Sequence, residues 1–356
     1  MNAALYRVFR KNSLVLLALV SLFIAAKWIA AATVVAPDLG DIDRWVADCS
    51  GLSCEEVEAY ILAVYDSENK ELEDSSALTN GFSAFNSALL NRTDLERLIS
   101  FAKNKEGILP ADVPGNYSEV LDFYTALDAP SIINYQPLDV YFSLQDSNIV
   151  PVLVLLLTIM VWGPHFEAEI YRCTGVAYQG KQYHNSLRII SIVLGLVLLL
   201  SNEVFDIVFS CVLRQSTLWS ATIQSYPAFR ECQLSCTIGQ GFVFMWCSKI
   251  MGVLILCFLA EYVAQWKKTL KDAAVYTLFI VIALQFFGRV LSGSMWQPIL
   301  QVGIMDWKEV FVQCTILIPG SIPSTVLGGT INACILLCLS VKPMCSWLFQ
   351  YRYARK

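Results

Sequence analysis

The sequence predicts an all-α polytopic membrane protein: six transmembrane helices, with a mainly helical extracytoplasmic domain between the first and the second. Three observations carry this reading. Six apolar stretches meet or approach the ~20 helical residues needed to cross ~30 Å of hydrocarbon. The basic residues between them fall on alternate sides of the membrane. Over 356 residues the chain is 56% hydrophobic with a mean hydropathy of +0.54, which lies outside the range of a soluble protein of this length.

The first stretch runs from Ser13 to Val35 behind Arg7, Arg10 and Lys11. Those three cations assign residues 1–36 to a cytoplasmic N-terminus and first span. A cleavable signal peptide ending at Ala30-Ala31-Ala32 is the competing reading. The apolar run is longer than the ~7–15 residues of such a signal, and Lys27 with Trp28 interrupts the approach to the alanines, so an uncleaved span is expected. Lys27, late in the span, is expected to snorkel outward.

Residues 37–147 form the extracytoplasmic domain. Pro37 to Asp146 holds 21 of the 30 acidic residues and only 6 of the 25 basic ones, while the remainder of the chain is basic. The net charge of −5 therefore reflects membrane sidedness, and nothing in it points to nucleic acid. Ser53-Cys54-Glu55-Glu56 and Thr93-Asp94-Leu95-Glu96 both read as capping boxes. They predict helices over 54–66 and 94–104, with a third over 119–127. In the first, Val57, Tyr60, Ile61, Val64 and Tyr65 recur every three or four residues and form one apolar face. Cys49 and Cys54 are the domain's two cysteines, and a disulfide between them suits an oxidising compartment. Asn91-Arg-Thr and Asn116-Tyr-Ser match the glycosylation pattern, which matters only in a secretory pathway. No acidic run has calcium-loop spacing with its Gly, so the carboxylates read as a solvated surface and no metal site is expected.

Residues 148–341 carry the other five spans, near 148–162, 189–213, 240–263, 273–291 and 324–341, and residues 342–356 form a cytoplasmic tail. Arg172, Lys181, Arg188, Lys267, Lys268, Lys271, Lys342, Arg352, Arg355 and Lys356 fall inside, against Arg214, Arg230 and Lys308 in the outer loops. Both termini are thus cytoplasmic. The loop from Arg214 to Gly239 holds Cys232 and Cys236, with Cys211 just before it. A 232–236 or a 211–232 bridge fits, and either leaves one thiol over. Cys334 and Cys338 read as small apolar packing residues of the sixth span. From Ser292 to Pro323, Trp296, Pro298, Trp307, Pro319 and Pro323 exclude a straight helix.

Charges inside the spans are costly, at least ~2.5–3.5 kcal/mol each near mid-bilayer, and so mark a transport path. Glu203 and Asp206 lie three residues apart on one helix face, and Lys249 and Arg289 are their candidate partners. Separate groups near water are the alternative reading.

The loop over 164–188 separates the second and third spans. It reads Phe166-Glu-Ala-Glu-Ile-Tyr-Arg-Cys-Thr-Gly-Val-Ala-Tyr-Gln-Gly-Lys-Gln-Tyr-His-Asn-Ser-Leu-Arg188. Here the chain resembles the permease subunits of type-2 ATP-binding-cassette exporters, in the subgroup with a large outer domain after the first span. Glu167 or Glu169, Thr174 with Gly175, Gly180 with Lys181, and Arg188 occupy the acidic, small, glycine-cation and closing-cation places of that family's loop. Arg188 stands where Lys is usual.

The resemblance implies a coupling helix that docks on a separate ATPase subunit through Glu167, Glu169, Tyr171, Arg172, Thr174, Gly180, Lys181 and Arg188. It also implies a second permease subunit, in a homo- or heterodimer, and ATP with Mg used only by the partner ATPase. The location it implies is a bacterial cytoplasmic membrane, with multiple spans in the lipid bilayer. Gly175 to Lys181 spells seven positions of a phosphate loop, but Gln182 replaces the Ser or Thr that must hold magnesium, and no strand precedes it. No catalytic residue is assigned. A membrane-anchored sensor or adhesion protein presenting the acidic domain is the alternative function. An intramembrane enzyme is disfavoured, because the spans hold no paired histidines and no metal-binding His-Glu array.

Overall fold

The computed structural model describes residues 2–33, 42–49, 52–68, 76–105, 115–127, 130–145, 149–167, 180–212, 219–267, 269–290, 307–312, 314, 316–317, 322–323 and 327–340. These are helical almost throughout. In chain order the helices are α1 (Asn2–Thr33), α2 (Ile42–Asp48), α3 (Cys54–Glu68), α4 (Ser76–Lys105), α5 (Gly115–Ala126), α6 (Gln136–Gln145), α7 (Ile149–Glu167), α8 (Gly180–Ile207), α9 (Ile238–Lys267), α10 (Leu270–Val290), α11 (Trp307–Val312) and α12 (Leu327–Ser340). One short antiparallel pair, Ile316–Leu317 with Ile322–Pro323, is the exception.

Each of the six apolar stretches is helical. Three helical segments are long and apolar enough to cross a membrane: Gln136–Gly163, Tyr183–Ser210 and Ile238–Ala264. The chain is therefore a helical membrane protein. Helix α8 shows how the sequence encodes a lipid environment. Ile189, Val193, Val197, Leu200, Val204 and Val208 follow one another at three- and four-residue steps, and all are exposed. Asn202, Glu203 and Asp206 on the same helix are buried. Polar inside and apolar outside is stable only when the solvent is hydrocarbon. Gly195 lets α8 approach α9 closely, since a Cβ there would stand 3.0 Å from Val253 Cγ1. Helices α7, α8, α9 and α10 share one core that includes Leu155, Trp162, Leu187, Leu256 and Ala260.

The polar domain builds a second core from α2, α3 and α4. Trp45 meets Phe85 edge-on at 6.1 Å, and Val57, Ala88 and Leu89 fill the space around them. The apolar face expected on α3 points here: Val57 is fully buried, and Tyr60, Ile61 and Val64 pack against the same core. Ser53 caps α3 as predicted, its backbone N–H donating to Glu56 Oε2 at 2.8 Å and its Oγ accepting from the Glu56 N–H at 3.4 Å. The Ser53 backbone N–H, together with the Ser53 hydroxyl donating to Glu56 Oε2 at 2.9 Å, holds the exposed Glu56 carboxyl below its usual range.

The second predicted cap is wrong. Thr93 lies inside α4, where its hydroxyl bonds back to Leu89 O at 3.0 Å, and the helix starts at Ser76 instead of near Asp94. Phe85, Ala88 and Leu89 have to reach the α2 face, and that packing carries the helix through the local stop signal. Asn91 is likewise buried, its amide donating to Gln224 O at 3.0 Å and Ser225 O at 3.2 Å, so the first glycosylation triplet offers no accessible nitrogen.

Cys49 is a free, fully buried thiol and not half of a bridge to Cys54. Burial, with the Asp48 carboxylate adding, pushes its pKa up to about 11. The thiolate is scarce at neutral pH, so Cys49 reacts slowly. Timed maleimide labelling with mass readout checks this: Cys49 stays unlabelled in the native protein for as long as the surface thiols take to react, and is labelled at once in denaturant. Cys334 and Cys338 are exposed on α12.

Candidate functional site

Two buried ion pairs link three apolar helices. Lys27 of α1 donates to Asp206 of α8, with Nζ 2.7 Å from Oδ1 and 3.0 Å from Oδ2, and also to Leu144 O at 3.3 Å. Lys249 of α9 donates to Glu203 of α8 at 2.8 Å and to Gln145 Oε1 of α6 at 2.6 Å. Lys27, Asp206, Lys249 and Glu203 are 3%, 0%, 2% and 6% exposed, so all four charges are out of solvent. The predicted outward snorkelling of Lys27 does not occur, because a carboxylate one helix away satisfies its ammonium inside the protein.

Neutral groups complete the network. Tyr141 of α6 donates its hydroxyl to Glu203 Oε2 at 2.6 Å, and Gln145 Nε2 lies 3.2 Å from each Glu203 oxygen. Asn202 Nδ2 donates to Asp206 Oδ2 at 3.0 Å and to Glu203 Oε1 at 3.5 Å, joining the two pairs into one. The carboxylates fix which end of that amide faces them, since only the NH2 can donate. The amide oxygen, Asn202 Oδ1, consequently has no hydrogen-bond partner among the described residues. An unmet buried acceptor costs about 1–3 kcal/mol. Just beyond Asp206 the helix widens into a π turn over Val208–Val212, where Ser210 Oγ donates to Asp206 O at 2.7 Å. Such turns often sit at working sites, because they offset backbone bonding by one residue.

Two cations and two carboxylates sum to zero. The network is therefore neutral overall, and it ties α1, α8 and α9 together.

The sequence-predicted residues divide as follows. Glu203, Asp206 and Lys249 come together, and the Lys249–Glu203 pair is formed. Arg289 lies in α10, with its side chain outside the described residues. In the loop, Glu167 ends α7, and Gly180 and Lys181 open α8. Glu169, Tyr171, Arg172 and Thr174 lie outside the described residues. Arg188 is engaged within the protein, holding Glu261 of α9 with Nη2–Oε1 at 2.6 Å and Nε–Oε2 at 2.9 Å. Its fork satisfies a carboxylate that is 1% exposed, which a lysine cannot match bidentately. Sequence reasoning singled out Lys27 but sent it outward, and it missed Tyr141, Gln145, Asn202 and Glu261; of these four only Glu261 carried a signal, as an ionisable group in an apolar run.

Above the network stands an aromatic lid. Phe142 of α6 stacks on Tyr226 at 6.1 Å and meets Phe229 edge-on at 5.3 Å, while Trp219 meets Phe242 at 5.0 Å. The segment 219–237, which carries Trp219, Tyr226 and Phe229, is also held to the polar domain, through Asn91 and an Arg230–Asp94 ion pair of 2.8 Å. Among the described residues no group of three or more His, Cys, Asp or Glu is placed to hold a metal ion. No family model, curated protein or solved structure matches the chain.

Proposed function

We propose that this chain is the permease subunit of an ATP-binding-cassette exporter. It moves a solute across the cytoplasmic membrane while a separate subunit, gripping the segment between α7 and α8, hydrolyses ATP. The two buried ion pairs hold the closed arrangement of α1, α8 and α9, and the solute path opens when they part. The observation that carries this reading is the clamp itself. A passive anchor gains nothing from four charges in hydrocarbon, whereas a machine that alternates between two packings needs contacts that are strong, saturable and reversible. The orphaned Asn202 oxygen supports it, because it leaves the closed state under-satisfied. The resemblance of the loop through Glu169, Thr174, Gly180 and Lys181 names the motor class.

Purification of the tagged full chain from its own membranes in mild detergent tests the proposal. A nucleotide-hydrolysing subunit is expected to copurify, and its recovery to fall at least ~10-fold, or about 1.4 kcal/mol, when Glu169→Lys and Lys181→Glu are combined. The proposal fails if no such subunit is bound, or if the doubly reversed chain retains it fully. The sensor reading predicts that second result.

A further inference from the structure

Two thiols near each other in sequence, Cys232 and Cys236, meet a distant third, Cys314, at the edge of the aromatic cluster. Cys232 and Cys236 come from the segment before α9, and Cys314 from the residue group after α11. Cys232 and Cys314 are both 0% exposed and belong to one apolar core with Phe229 and Phe311, whose rings lie 5.2 Å apart. The backbone fixes the approach: Gln233 N–H donates to Cys314 O at 2.9 Å, and Gln224 Nε2 holds Cys232 O at 2.7 Å. The Cys314 side chain beside it, with burial adding, pushes the Cys232 thiol pKa well up. Cys236 stands beside them and is partly exposed.

We propose that Cys232 and Cys314 are a disulfide-forming pair, oxidised through Cys236 by an external disulfide, and that the bond staples the 219–237 segment to the chain ahead of α12. The oxidant is a low-molecular-weight disulfide or an oxidised dithiol protein. Cys236 thiolate attacks one of its sulfurs and releases the other as a thiol. Cys314 then attacks the Cys236 sulfur, expelling the second thiol when the mixed bond is to the oxidant. Cys232 finally displaces Cys236, which returns as a thiol. Two protein thiols lose two electrons and two protons, and the oxidant's disulfide gains both. The two side chains share one buried core and adjoining backbone, and their sulfurs form the bond on approach to ~2.05 Å with a dihedral near 90°. Burial, with Cys314 nearby, pushes the Cys236 pKa up to about 11, so its reaction is slow at neutral pH and quickens about tenfold per pH unit below that value. The inference about the cell, though not the chemistry, rests on the extracytoplasmic placement of this segment in the proposed topology, where disulfides persist.

The test treats the purified full chain in detergent with oxidised glutathione, alkylates the remaining thiols, and maps peptides after chymotryptic cleavage at Leu234, which parts Cys232 from Cys236. The expected product is a Cys232–Cys314 linked peptide with Cys236 alkylated, formed at least ~10-fold more slowly in Cys236→Ser. A dominant 232–236 or 236–314 link, or three alkylated cysteines, overturns the pairing. The wild-type chain alone gives this answer, so a misfolded variant does not obscure it. An impermeant maleimide on intact cells, after reduction, separately reports sidedness: labelling of Cys236 from outside supports the staple in vivo. Protection of Cys236 there, beside a correct link in vitro, overturns the topology and leaves the chemistry standing.

Discussion

Lys249→Met lowers the stability of the folded chain by about 3–5 kcal/mol, the cost of leaving a buried carboxylate without its cation. Glu203 would keep only Tyr141, Gln145 and Asn202 as neutral donors, in a site 6% exposed. Adding Glu203→Gln recovers most of the loss, because the amide needs no counter-charge and still accepts from the Tyr141 hydroxyl. Unfolding in detergent, followed by tryptophan fluorescence, measures both variants. A double variant as unstable as the single one would show that the pair is not coupled. Under the proposed function, transport is expected to respond differently: with the pair neutralised, the packing of α8 on α9 loses its ion-pair link even where stability returns. A folded double variant that transports at the wild-type rate would remove the clamp from the mechanism.

Phe142→Ala costs a similar amount, about 3–5 kcal/mol, by opening a cavity under the lid. The ring is 2% exposed and touches four others: Tyr141 at 5.3 Å, Tyr226 at 6.1 Å, Phe229 at 5.3 Å and Phe242 at 6.2 Å. The loss is local before it is global. The 219–237 segment loses its seat on α6, so trypsin cleaves at Arg230 faster in this variant than in the parent. Leu90→Ala is the control, since that side chain is 56% exposed on α4 and its removal stays within about 0.5 kcal/mol. Equal trypsin rates in Phe142→Ala and the parent would mean that Arg230–Asp94 and Asn91 hold the segment by themselves.

The positions of the apolar helices were legible because hydropathy is a sum over neighbours: α1, α7, α8, α9, α10 and α12 each overlap a predicted stretch, and α7, α8 and α9 also overlap the three segments long and apolar enough to cross a membrane. The outer helices were half legible. Ser53 capped as its spacing implied, whereas Thr93 presented the same signature and sits mid-helix, because Phe85 and Leu89 extend α4 past it. Partners were the hardest to read. Glu203 and Asp206 stood out as charges in an apolar run, but whether Lys27 or Lys249 meets each depends on how α1 and α9 pack against α8, which no spacing records. The Cys232–Cys314 contact has the same character: a pairing decided by tertiary packing leaves no trace in local sequence. Neutral members of the network, Tyr141 and Gln145, carry no charge to give them away.

The ten residues of α6 form a stiff rod ~15 Å long. Near its start, Asp139 accepts a hydrogen bond from Tyr226 of the lid; near its end, Gln145 grips Lys249 and Glu203. A rod held at both ends transmits displacement in either direction. One ten-residue helix thus carries both a hydrogen bond to the 219–237 segment and the grip on the buried charges, so the two cannot be repositioned independently while α6 stays intact.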